Sequence, residues 1–184
     1  MNLEEIRNSL TSEINPVLSK NNETKLSSVL VIIFGDLPKI LMIKKPITMN
    51  YHGGEIAFPG GKISNKDDDL LDTAIRETRE ETGITVSREQ IIGQLKPVTT
   101  LNSGFTILPF VCMLNEINEL TPNSEVEEFL KIPLFPLLQT LTKDTDPKHN
   151  LIQEMYVLIF ENNIIWGASA RMLKQITEKI LNRE

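Results

Sequence analysis

The stretch Arg76-Glu77-Thr78-Arg79-Glu80-Glu81-Thr82-Gly83 crowds three carboxylates, Glu77, Glu80 and Glu81, into little more than one helical turn. At about 100° per residue they span an arc of roughly 100°, so a helix here turns all three to one side. Glu81 falls beside the apolar stripe Leu70, Leu71, Ala74, Ile75 and Thr78, which predicts that at least one carboxylate is shielded from water. A buried anion without a partner is costly, so either its pKa rises or a cation sits beside it. An all-oxygen donor set suits hard divalent ions such as Mg²⁺ and Mn²⁺. The competing account is a solvated helix held by the ion pairs Asp72–Arg76 and Arg76–Glu80.

A glycine elbow, Pro59-Gly60-Gly61-Lys62, precedes this helix and favours the metal account. Gly60 and Gly61 permit positive φ and close approach of backbone to a ligand, which a plain surface helix does not need. Gly-Gly-Lys is not a phosphate loop of the Walker type. That motif needs a glycine where this chain has Ile56, and Ser or Thr where it has Ile63. HExxH, paired CxxC and GxSxG are absent, and His52 and His149 do not make a histidine-rich metal site.

These residues need a scaffold. Leu3, Ile6, Leu10 and Ile14 recur at helical spacing and predict an N-terminal helix over 2–15, ending near Pro16. The runs Leu26–Phe34 and Lys39–Lys45 are β-branched and apolar, as in a buried hairpin. A short strand Glu55–Phe58 leads to the elbow, and a helix begins near Asp67, with Asp67, Asp68 and Asp69 at its positive end and Gly83 as its C-cap. Two further strands flank the turn Asn102-Ser103-Gly104. Another runs through Glu125–Leu134 until Pro133 stops it, and a short helix follows. A hairpin turning at Glu161-Asn162-Asn163 leads to a terminal helix with Ala168, Met172, Leu173, Ile176 and Ile180 on one side. This order predicts helices covering a mixed sheet, an α/β fold, in a single domain spanning 1–184.

Composition narrows the function. With 184 residues, 40% hydrophobic and 24% charged, the chain is that of a soluble globular protein. A net charge of -6 argues against a nucleic-acid partner, although cations bound locally would still admit a small anionic ligand. The single cysteine, Cys112, lies within an apolar run and reads as a buried strand residue, consistent with a reducing cytoplasm. The acidic start does not read as a signal peptide, and no apolar run approaches the ~20 residues of a membrane span. The expectation is a cytoplasmic protein.

The Arg76–Gly83 stretch, together with the preceding glycine, resembles the signature of the Nudix hydrolase family, a glycine, a spacer and then R-E-x-x-E-E-x-G. The resemblance places the Nudix box at 61–84. Its spacer is one residue longer than usual, so either Asp67 or Asp68 takes the place of the signature's first acid. The longer spacer and the preceding His52–Lys62 segment resemble the coenzyme A diphosphatase branch. SGFTILPFV, EVEEFLKIPL and IWGASARML extend the likeness to roughly Ser28–Leu181. Departures are Lys45 and Pro46 where that branch carries an arginine and a serine, and Asn50 where it carries a second arginine.

The resemblance implies an α/β/α sandwich and hydrolysis of a nucleoside diphosphate derivative, coenzyme A or an acyl-coenzyme A, with ADP-ribose or a nucleotide sugar as alternatives. A non-catalytic nucleotide- or protein-binding module is the reading from another class. Glu77, Glu80 and Glu81, with the Gly61 carbonyl, carry over as ligands of Mg²⁺ or Mn²⁺, and Arg76 as the residue that positions them. Glu80 is the first choice of general base, with Glu125, Glu127 or Glu128 as the alternative. Lys45, His52, Gly60, Lys62, Ser103 and Phe105 are the substrate-binding candidates. For several of these the plainer role is a loop hydrogen bond (His52), a strand-end core residue (Phe105) or a solvated lysine (Lys62). Trp166 reads as structural. A homodimer is expected by resemblance.

Overall fold

The computed structural model describes residues 2–18, 25–49, 52–101, 103–146 and 155–181. Asn50, Asn102 and His149, named above, lie outside them.

Strand β1 (Lys25–Phe34) is the sheet's axis. It pairs antiparallel with β2 (Lys39–Lys44), which carries the two-residue β3 (Ile56–Ala57) on its edge. Near its start it also pairs with β4 (Gly60–Lys62), an element the sequence reading treated as a break rather than a strand. β5 (Ile91–Gln94) and β6 (Val98–Thr99) both pair antiparallel with β7 (Phe105–Leu114). β7 lies parallel to β1 in continuous register from Lys25↔Phe105 to Phe34↔Leu114. β8 (Glu128–Pro133) completes the sheet against β2. One parallel pair among antiparallel ones makes the sheet mixed, as the alternation of strand and helix signals predicted.

The two sheet faces follow from strand alternation. Leu26, Leu30, Ile32 and Phe34 turn toward helix α2 (Leu70–Thr82), packing with Leu70, Leu71 and Ala74. Val29, Val31 and Ile33 turn the other way, toward α1 (Leu3–Leu10), α3 (Leu134–Leu138) and α4 (Gly167–Leu181). Fully burying each aliphatic side chain contributes roughly 1.5–3 kcal/mol, so the two clusters hold helices on both faces. The result is the expected α/β/α sandwich. A smaller sheet, β9 (Thr142–Lys143), β10 (Tyr156–Phe160) and β11 (Asn163–Ile165), adjoins the α4 side.

α1 ends at Leu10, short of the predicted 15. Thr11 is extended, and beyond it Ser12 pairs with a strand instead of continuing the helix. Its N–H donates to Ile92 O at 3.2 Å, its hydroxyl donates to Gln94 O at 3.1 Å, and Gln94 N donates back to the hydroxyl at 2.9 Å. Ile14 therefore packs from an extended segment. The strand predicted from Gln90 to Leu101 is likewise divided, into β5 and β6. α2 starts at Leu70 because Asp69 accepts from Leu71 N and Asp72 N, both at 2.9 Å, and ends where Gly83 takes φ 77°.

Candidate active site

The acidic helix and the elbow meet through two glycines. Pairing with β1 fixes β4, with Ser28 opposite Gly61 and Val29 opposite Gly60. A Cβ on Gly61 would lie 2.4 Å from Glu77 Cδ and 2.6 Å from both of its oxygens. Gly60, at φ 153°, has room for no side chain either, since a Cβ would sit 2.2 Å from Ser28 O. Its N–H donates to Glu81 Oε2 at 2.8 Å. Backbone approach by glycine thus brings Glu77 and Glu81 onto the elbow.

Arg76 ties the box together. Its Nε donates to Asp67 Oδ1 at 2.7 Å and its Nη2 to Asp67 Oδ2 at 2.9 Å, a bidentate pair. Its Nη1 donates to Glu77 Oε1 at 2.8 Å and Glu80 Oε2 at 3.3 Å, and Nη2 to Lys62 O at 3.3 Å. Asp67 also accepts from Ser64 N at 2.9 Å and Thr73 Oγ1 at 3.0 Å. The Arg76 hydrogen bonds hold the Asp67 carboxyl well below the usual carboxylate range. Asp67, not Asp68, is therefore the acid that grips the arginine.

Of the two helix-surface pairs, Arg76–Glu80 forms and Asp72–Arg76 does not. Arg88 claims Asp72 instead and also holds the cap residue Asp69, with Nη2 2.6 Å from Oδ2. Arg88 lies in a short 3₁₀ turn, Arg88–Gln90, that folds back beside the start of α2.

The three glutamates differ sharply in exposure. Glu81 is 1% exposed, while the side chains of Glu77 and Glu80 are 20% and 49% exposed. Burial pushes the Glu81 carboxyl up to about 7, against the Gly60 N–H and Lys45, whose Nζ is 3.9 Å away. The carboxylates of Glu77 and Glu125 push the same way. Among the described residues, no group of three acidic or histidine side chains is drawn together as a metal-ligand set. Arg76 engages Glu77 and Glu80 instead.

A cleft of about 290 Å³ opens at the elbow and runs along the α4 face of the sheet. Lys45, His52, Gly60, Lys62, Ser103 and Phe105 all line it, as does Gly61. His52 has φ 61° and its Nδ1 lies 2.9 Å from Glu55 Oε2. A left-handed histidine is uncommon, and such strain clusters at ligand-binding loops. The Ser103 hydroxyl is 2.7 Å from that of Thr100. The far wall includes Met155, Trp166 and Met172. Trp166, read from sequence as structural, faces this cleft because the hairpin delivers it to the start of α4. Its place immediately before Gly167-Ala168-Ser169 was the available signal.

A family model for the NUDIX domain matches residues 24–155. The chain belongs to the Nudix family. It is similar to an uncharacterised Nudix hydrolase, NudL, of Pectobacterium atrosepticum, 29% identical over 176 residues covering 93% of this chain and 91% of that one. It is also similar to NudL of Yersinia enterocolitica, 30% identical over 146 residues covering 78% and 74%. Among solved structures, a MutT/nudix family protein from Enterococcus faecalis superposes with TM-score 0.64 at 16% identity, covering 91% of this chain and 66% of that chain. That likeness concerns the fold, which is the Nudix α/β/α sandwich. The protein is a Nudix hydrolase, of the family acting on nucleoside diphosphate derivatives.

Nudix hydrolases generally use divalent ions such as Mg²⁺ or Mn²⁺. The residues of this Nudix protein fit such an ion. The donors are all oxygen, the Gly61 backbone lies against Glu77, and Glu81 is a buried carboxyl lacking full charge compensation. Of the alternative bases, Glu125 is near enough to Glu81 to raise its pKa. Glu127 accepts from Ile47 N at 3.4 Å, and Glu128 pairs opposite Lys44 in β8. All three are exposed and none lines the cleft. Among the described residues, no helix is long and apolar enough to cross a membrane.

Proposed function

We propose that this Nudix hydrolase is a metal-dependent diphosphatase that cleaves coenzyme A or an acyl-coenzyme A. The observation that carries the reading is the elbow itself. Glu77 lies against Gly61 and Glu81 is buried on the Gly60 N–H, at one end of a cleft that also holds Lys45, His52 and Lys62. Cations at the elbow and carboxylates behind it suit a diphosphate. The apolar wall of Met155, Trp166, Ala168 and Met172 suits a long, weakly polar arm attached to it.

In this reading Glu77, Glu80, Glu81 and the Gly61 carbonyl would hold Mg²⁺ or Mn²⁺, which would supply positive charge for the diphosphate oxygens. Arg76, anchored by Asp67, keeps Glu77 and Glu80 oriented. Glu80, the most exposed of the three, is the carboxylate assigned to accept a proton from the attacking water. Lys45 meets a phosphate oxygen as a point charge, without the bidentate fork of an arginine.

The test is a substrate panel of coenzyme A, ADP-ribose and dinucleoside polyphosphates with Mg²⁺ or Mn²⁺ in ¹⁸O-labelled water. Coenzyme A should yield adenosine 3',5'-bisphosphate and 4'-phosphopantetheine, with label in one product that identifies the attacked phosphorus. Glu80→Gln should abolish turnover, while Glu125→Gln should retain it. Preferential cleavage of ADP-ribose would move the substrate assignment. Tight nucleotide binding without turnover under any metal would point to a binding module.

A further inference from the structure

At the cleft mouth, two lysines share one aromatic ring. Lys62 Nζ lies 5.2 Å and Lys25 Nζ 5.7 Å from the centroid of Phe105. Sheet register enforces the arrangement. Lys25 stands opposite Phe105 in the parallel β1–β7 pair, and Lys62 stands opposite Ser27 in the antiparallel β1–β4 pair. Lys25 and Ser27 are two apart on one strand, so all four side chains emerge on the same face, that of α4 and the cleft. Ser27 is small, which lets Lys62 lean across it toward Phe105.

Neither ammonium has a carboxylate partner among the described residues. Two neighbouring cations repel, and the negative face of one ring offsets this only in part. In a chain with net charge -6, an unpaired cation pair beside an acidic metal-type site is placed for an anion. Lys62 directly follows the elbow glycines where the diphosphate is assigned, whereas Lys25 lies beyond it on the far side of Ser27.

We infer that Lys25 and Lys62, set by Phe105, bind a phosphomonoester carried by the same nucleotide but separate from its diphosphate. On the reading of the elbow given above, this subsite favours a substrate bearing an additional ribose phosphate over one without it. Lys25 is the informative residue, because it stands apart from the elbow.

The inference is tested without turnover, by calorimetric binding of adenosine 3',5'-bisphosphate and of adenosine 5'-monophosphate at fixed ionic strength. The bisphosphate should bind at least about tenfold more tightly to wild type, as expected for one charge-assisted phosphate contact. Lys25→Gln should remove most of that advantage and leave the monophosphate affinity unchanged. Lys96→Gln, a lysine outside the cleft, should preserve it. Equal affinity of wild type for both ligands, or full retention of the advantage in Lys25→Gln, would overturn the subsite. Equal loss in Lys96→Gln would too, since it would reduce the effect to overall charge. Coenzyme A turnover measured in parallel separates the two readings. Discrimination without cleavage keeps the subsite and removes the substrate assignment, while cleavage without discrimination does the reverse.

Discussion

Replacing Glu81 by Gln should make the metal-free protein more stable while destroying its activity. The Glu81 carboxyl is pushed from 4.5 up to about 7, chiefly by burial. A carboxyl whose pKa is raised on folding binds its proton more tightly in the native state. Its ionisation therefore costs stability in full above about pH 7, and the cost fades as pH falls toward 4.5. A shift of this size corresponds to about 3 kcal/mol at pH 8, at 1.36 kcal/mol per unit. Glutamine keeps an oxygen to accept the Gly60 N–H, and the variant loses only the long 3.9 Å pairing with Lys45. The expected net gain is about 1–3 kcal/mol at pH 8, or roughly 3–10 °C in Tm for a domain of this size. At pH 5 the difference should be close to nothing. The assay is thermal unfolding in EDTA at pH 5, 6.5 and 8, repeated with Mg²⁺. Mg²⁺ should raise the wild-type Tm more at pH 8 than at pH 6.5 and leave the variant unmoved. A variant no more stable than wild type at pH 8, or shifted equally at all three values, would refute the reasoning.

Gly61→Ala should lower kcat/KM by about a hundredfold or more with the fold retained, because the new methyl occupies the Glu77 carboxylate position; circular dichroism and turnover check this together. Asp67→Asn should cost about 1–3 kcal/mol at neutral pH in urea unfolding, since it breaks the bidentate grip on Arg76. The Asp67 pKa is lowered by folding, so its contribution is present above about pH 4 and lost below, and variant and wild type should converge in stability as pH falls toward and below 2. Cys112, fully buried and pushed up to about 12, should resist thiol reagents at pH 8 until the chain unfolds, with labelling tracking the unfolded fraction.

What could be read in the sequence was encoded locally. Asp69 and Gly83 bound α2 by contacts within a few residues, and the arc of Glu77, Glu80 and Glu81 follows from helix geometry alone. The Asp72–Arg76 pair of the competing account does not form, because i,i+4 spacing is only an opportunity. Arg88, sixteen positions away, outcompetes Arg76, which has the better bidentate partner in Asp67. α1 was overextended because Ile14 continues a helical period, yet Ser12 gains strand hydrogen bonds that no periodicity reveals. Trp166 reads as structural in the sequence for the same reason, since its cleft neighbours come from distant segments, and Lys25 likewise finds the Phe105 ring only across the β1–β7 pair.

β4 joins the box to the cleft although they lie on opposite faces of the sheet. α2 packs on one face, and the cleft runs along the other. A strand with ordinary side chains would keep them apart. In β4 the alternation sends Lys62 to the cleft, and the missing side chain of Gly61 gives Glu77 its place against the backbone. The missing side chain of Gly60 lets the same strand sit tightly on Ser28 and Val29 while its N–H holds Glu81. The longer spacer is compatible with this because the loop before α2 absorbs the extra length. Asp67 still reaches Arg76 from nine residues away, so the carboxylates keep their register against the elbow. On the proposed reading, substrate choice then falls to side chains that the box does not contain, those on β1, β7 and the start of α4 that face the cleft.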